Sequence, residues 1–60
     1  MMIYDPPSGW KYGFPKPYKP KEGESLSETL LRDGYPAKEL ESIKKPDGGL
    51  YGVRFWEHTE

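Results

Sequence analysis

Five of the seven prolines of this 60-residue chain fall within residues 5–20, and no other feature restricts the fold as much. Each proline fixes its own φ near the polyproline value and disfavours the helical region for the residue before it. The segment is therefore expected to run extended with turns, not as a helix. Within it Trp10, Tyr12 and Phe14 alternate with Lys11 and Gly13. In an extended chain that period of two places three rings on one side, giving a stiff ribbon with one apolar face.

Such a ribbon matters because the chain is short. A domain of this length buries only about 60% of the surface its unfolded chain exposes, so every large apolar group is needed. The chain contains no cysteine, which excludes a disulfide framework and a thiolate zinc site. No apolar run approaches the roughly 18 residues of a membrane span, and Met-Met-Ile-Tyr-Asp lacks the features of a signal peptide, so the expected setting is the cytoplasm with no membrane partner. The net charge of −1 is unevenly distributed. Through Lys21 four lysines face Asp5 alone, whereas residues 22–42 carry six acids against Arg32 and Lys38. A basic arm lying against an acidic middle neutralises part of both; the same arm also suits an anionic partner.

Residues 1–4 read as a short strand, stopped by Pro6 and Pro7, and Ser8-Gly9 reads as a turn. Ser25 followed by Glu28, with Leu26, Leu30 and Leu31 behind, is the capping-box pattern and predicts a helix from 26 to about 33, ended by Gly34. Tyr35-Pro36 restarts the chain, and Ala37, Leu40 and Ile43 share one face of a second helix that ends before Pro46. The link is short enough to predict packed neighbours, a helical hairpin or a bent pair. Pro46-Asp-Gly-Gly is a turn, and residues 50–57 are rich in strand formers. Tyr51, Val53 and Phe55 point one way along that strand; Leu50, Arg54 and Trp56 point the other.

The expectation is one α+β domain over residues 1–60: a proline-rich arm at 5–20, two short helices within 26–44 and a strand at 50–57. Neither helix reaches the roughly 12 to 15 residues at which an isolated helix becomes marginal, so both require tertiary burial. The predicted core is Trp10, Tyr12 and Phe14 from the arm, Leu26, Leu30, Leu40 and Ile43 from the helices, and Val53 and Phe55 from the strand. Removal of the Trp10 ring is expected on this reading to unfold the chain.

Catalytic chemistry finds little support. The only histidine, His58, has just Glu57 and Glu60 nearby, so no metal site and no cofactor is expected. Ser8, Ser25, Ser27 and Ser42 are accounted for by turns, a cap and helix surface, with no neighbouring base. The carboxylates at 22, 24, 28, 33, 39 and 41 read as solvated charges, and Asp47-Gly-Gly lacks the lysine and hydroxyl of a phosphate loop. A non-catalytic chain is expected. Two binding modes remain. Tyr18, Tyr51, Arg54 and Trp56 are candidate anchors for a protein partner, because interface centres favour tyrosine, tryptophan and arginine. Alternatively, Lys11, Lys16, Lys19 and Lys21, interleaved with rings, suit single-stranded nucleic acid. Pro17-Tyr-Lys-Pro20 also matches the bare P-x-x-P pattern of ligands for polyproline-reading domains.

Residues 5–10, Asp-Pro-Pro-Ser-Gly-Trp, resemble the start of a WW domain, but the paired central aromatics and the second tryptophan at WW spacing are missing. A longer match is the string Asp-Pro-Pro-Ser-Gly-Trp-Lys-Tyr-Gly-Phe-Pro-Lys-Pro over residues 5–17, followed by Asp33-Gly-Tyr-Pro36 and a closing Arg54-Phe-Trp56. In these the chain resembles a group of very small proteins encoded by tailed bacteriophages and prophages. The resemblance implies a phage origin and action inside an infected bacterium, and brings no activity and no catalytic residue with it. By analogy with small accessory phage proteins, it raises the expectation of a host or phage protein as partner, with a minor virion component as a further class.

Overall fold

The computed structural model describes residues 1–59. It is a small α+β fold of a three-stranded antiparallel sheet and two short helices, with strand β1 (Met2–Asp5), a 3₁₀ turn (Gly9–Tyr12), β2 (Lys16–Pro17), α1 (Leu26–Arg32), α2 (Ala37–Ser42) and β3 (Arg54–Glu57). The strand order is β2-β1-β3. Proline cannot donate to a ladder, so Pro17 confines β2 to an edge and leaves the centre to β1. Tyr4 opposes Lys16 on one side and Phe55 on the other. Its ring lies 5.4 Å from Phe14, 5.0 Å from Tyr18 and 6.1 Å from Phe55. Around it the buried core comprises Phe14, Leu30, Tyr35, Leu40 and Ile43, with Tyr12, Tyr18, Leu26, Leu50 and Val53 packed against its margin.

The arm differs from the extended ribbon expected. No proline stands between Pro7 and Pro15, and in that interval the chain closes a 3₁₀ turn, with Ser8 (φ 58°) and Gly13 (φ 92°) both left-handed at its ends. The change of period from two to three separates the rings. Gly9 and Tyr12 turn inward, while Trp10, expected in the core, is 75% exposed. Beyond the turn Phe14 is buried and residues 16–17 return antiparallel to β1. The arm is thus a hairpin partner of β1, and its Tyr12 and Phe14 stack edge-on against Tyr35 at 5.7 and 6.0 Å.

Helix α1 begins as its sequence indicates. The Glu28 backbone N–H donates to Ser25 Oγ at 3.2 Å, and the Ser25 N–H donates to Glu28 Oε1 at 3.1 Å. It ends with Gly34 at φ 100°, whose N–H reaches the Leu31 carbonyl while the Tyr35 N–H reaches that of Leu30 at 2.9 Å. That paired closure places the residue after the glycine against the last turn of the helix, which is why Tyr35 is buried. Its hydroxyl donates to the Pro7 carbonyl at 2.9 Å and so ties the helical half to the arm. The helical hairpin is not formed as expected: α1 and α2 make few contacts with each other, and each packs its apolar residues into the aromatic core instead.

Pro46-Asp-Gly-Gly turns the chain, with Lys45 N–H bonded to the Gly49 carbonyl at 2.9 Å and Lys44 bridged to Leu50. The strand expected over residues 50–57 begins only at Arg54, because Gly52 adopts φ 73° and bends the chain away from the ladder. Strand β3 then pairs with β1 from Asp5↔Arg54 to Met2↔Glu57. Phe55, expected in the core, sits at its rim, 43% exposed, with its ring touching Tyr4 and Tyr18. The Met1 amine donates to the Glu57 carboxylate at 2.7 Å and to the His58 carbonyl at 3.1 Å, bringing the two ends of the sheet side by side.

Candidate functional site

Alternation along the strands divides the sheet into two faces. Tyr4, Tyr18 and Phe55 lie on the face covered by the helices. Ile3, Asp5, Arg54 and Trp56 lie on the other, since Ile3 opposes Trp56 and Asp5 opposes Arg54. Pro17 opposes Ile3 from the far strand, so an apolar row of Pro17, Ile3 and Trp56 crosses the outer face. Arg54 fixes one end of it. Its guanidinium donates to Asp5 Oδ2 at 2.9 Å and lies 6.0 Å from the Trp56 ring centroid. The indole is held beside a cation and is still 39% exposed. Asp5 Oδ1, by contrast, is buried without a hydrogen-bond partner, pressed against Gly9.

Of the four anchor residues expected, the outer face therefore unites Arg54 and Trp56. Tyr51 stands on the bend before β3, exposed, with Lys45 Nζ 5.2 Å from its ring centroid. Tyr18 belongs to the opposite face, where it packs with Tyr4 and Phe55. Ile3 and Asp5 are not among the residues that sequence alone singles out. Strand pairing brings them beside Arg54 and Trp56, and the usable signal is the alternation within Met-Ile-Tyr-Asp.

The lysines expected to suit nucleic acid are dispersed in role. Lys16 Nζ is turned inward, donating to the Asp33 carbonyl and lying 5.3 Å from the Phe14 ring centroid. Lys11 stays with the exposed Trp10, 5.6 Å from its centroid, while Lys19 and Lys21 are exposed on the segment that follows β2.

Two polar clusters brace the fold behind this surface. The Tyr4 hydroxyl donates to the Asp33 carboxylate, and burial together with that bond holds its proton well above the ordinary tyrosine range. Glu24 receives Arg32 Nε and Nη2 at 3.0 Å each, Thr29 Oγ1 at 2.8 Å and the Lys21 N–H at 3.0 Å. The Arg32 bond, then the Lys21 amide and the Thr29 hydroxyl, lower the Glu24 pKa from 4.5 to about 2. A carboxylate whose folded pKa is depressed contributes stability above its unfolded pKa and loses it as pH falls through the folded one. Wild-type stability is thus expected to decline between about pH 4.5 and pH 2, and Glu24→Gln to flatten that decline. Thermal melts across this range compare the two; equal slopes would contradict the assignment.

Among the described residues no pocket is found, nor any group of three or more His, Cys, Asp or Glu placed to hold a metal ion. No described helix is long and apolar enough to cross a membrane. Compared with known proteins, the chain matches no family model, no curated protein and no solved structure.

Proposed function

We propose that this chain is a non-catalytic binding module of phage origin that acts in the infected bacterium by engaging a host or phage protein through the outer face of its sheet. The observation that carries the reading is Trp56, opposite Ile3 and beside the Arg54 guanidinium, yet more than a third exposed on a strand whose four residues are all exposed. Tryptophan and arginine are the residues that dominate interface energetics once a partner removes them from water. The phage origin is supported by the string over residues 5–17 and the closing Arg54-Phe-Trp56. Immobilised wild-type chain is expected to retain one stoichiometric protein from bacterial lysate, and Trp56→Ala to lose it while keeping the wild-type melting temperature. Retention of the same protein by Trp56→Ala would refute the surface.

A second reading is favoured by one observation. Trp10 is not consumed by the core, and stands exposed with Lys11 beside its ring. An exposed ring with a neighbouring cation is the unit on which unpaired bases stack. Binding to single-stranded DNA that weakens steeply with salt and is lost in Trp10→Ala would support this reading; the absence of such binding would remove it.

A further inference from the structure

The two edges of the sheet are unlike. β2 is two residues long, contains Pro17 and is flanked by Pro15, so its outer side is poor in donors. β3 has no proline from Val53 to Thr59, and no described strand pairs with its outer side. Such an edge is a template for another strand.

The ladder fixes which groups that edge offers. The His58 N–H bonds to the Met1 carbonyl at 2.7 Å, and antiparallel pairing alternates residue by residue. Arg54, Trp56 and His58 therefore turn their backbone groups toward β1, while Phe55 and Glu57 turn theirs outward. We propose that this chain forms a twofold dimer by antiparallel pairing of β3 with β3 of a second copy, joining two three-stranded sheets into one of six strands.

Two features select a second copy. A twofold axis perpendicular to the sheet pairs only residues of the same face, so outer meets outer and the core faces stay covered. With Trp56 on the axis, Phe55 of each copy pairs with Glu57 of the other, and all the outward backbone groups of β3 are satisfied by four hydrogen bonds. Trp56 then faces its own counterpart in a non-hydrogen-bonded pair, the closer of the two side-chain spacings. The inference goes beyond the proposed lysate partner and does not rest on it.

Glu57→Pro separates the dimer from the fold, because the N–H it removes points away from β1 and proline is tolerated at such an edge position. Sedimentation equilibrium of the wild type is expected to show twice the chain mass, with dissociation on dilution, and Glu57→Pro to remain at the chain mass with its circular dichroism unchanged. Trp56→Cys tests the register without relying on that variant. Mild oxidation is expected to cross-link it to a covalent dimer, whereas Tyr51→Cys, on the bend outside the strand, gives no covalent dimer. A wild type at chain mass up to millimolar concentration, a Glu57→Pro dimer, or equal cross-linking of the two cysteine variants would each overturn the proposal. Loss of the lysate partner with the dimer intact would instead overturn the proposed function alone.

Discussion

Tyr4→Ala is expected to leave the chain largely unfolded at room temperature. Replacing a buried aromatic ring with alanine costs about 3–5 kcal/mol. At 0.05–0.15 kcal/mol per residue, a chain of this length has a net stability of about 3–9 kcal/mol. The fully buried Tyr4 ring is the hub on which Phe14, Tyr18 and Phe55 converge from three segments, and its hydroxyl is bonded to Asp33 at the end of α1. Its removal opens a cavity between sheet and helices and leaves the Asp33 carboxylate without that donor. Near-ultraviolet circular dichroism during a thermal ramp reads the outcome. A cooperative transition within a few degrees of wild type would show that the hub is misplaced. The matching substitution of the exposed Trp10 is expected to change stability by no more than about 0.5 kcal/mol, as for surface positions generally. The two variants together reverse the order of importance that composition alone suggests.

Gly9→Ala is the second large effect. A Cβ at this position would meet Asp5 Oδ1 at 2.6 Å, Phe14 Cβ at 2.8 Å and Pro6 Cδ at 3.0 Å. None of these is the far end of a flexible side chain. Pro6 is a ring fixed to the backbone, Phe14 is in the core, and Asp5 is held through its other oxygen by Arg54. One methyl group must therefore shift the 3₁₀ turn away from β1, at a cost of about 1–3 kcal/mol, the range for overpacked interiors. Urea titration should show a lower midpoint with an unchanged slope. A midpoint equal to wild type would mean that the turn yields freely and that the close approach is not structural.

Locally encoded parts of this fold are legible in the sequence. The reciprocal Ser25 and Glu28 bonds need only four residues, Gly34 needs only its own φ, and Pro46-Asp-Gly-Gly turns where a turn is written. The small α+β class follows from these and from the strand formers near each end. Long-range pairing decides the rest. Tyr4 stands in a recognisable strand but becomes the centre of the core only because β2 and β3 flank it on both sides. A period of two would turn Trp10 inward in an extended chain, and the proline-free interval between Pro7 and Pro15 is enough to change the period. Tyr35 reads as part of a link, although its place directly after a helix-ending glycine is one that commonly packs back on the helix. Of the candidate surface, Arg54 and Trp56 are visible as residue types. Their neighbours Ile3 and Asp5 come from the opposite end of the chain, and no spacing rule connects them.

The contact of Met1 with Glu57 and His58 sets the start of β1 beside the end of β3. A few glycines inserted between the two ends would join β1 to β3 without displacing either, because their backbones already meet there. New ends could then be opened at Gly23, where a methyl group would find no atom within 4 Å and the backbone runs over the surface. A permuted chain beginning at residue 24 would keep every strand neighbour while reversing the order of synthesis, so that the helices precede the central strand.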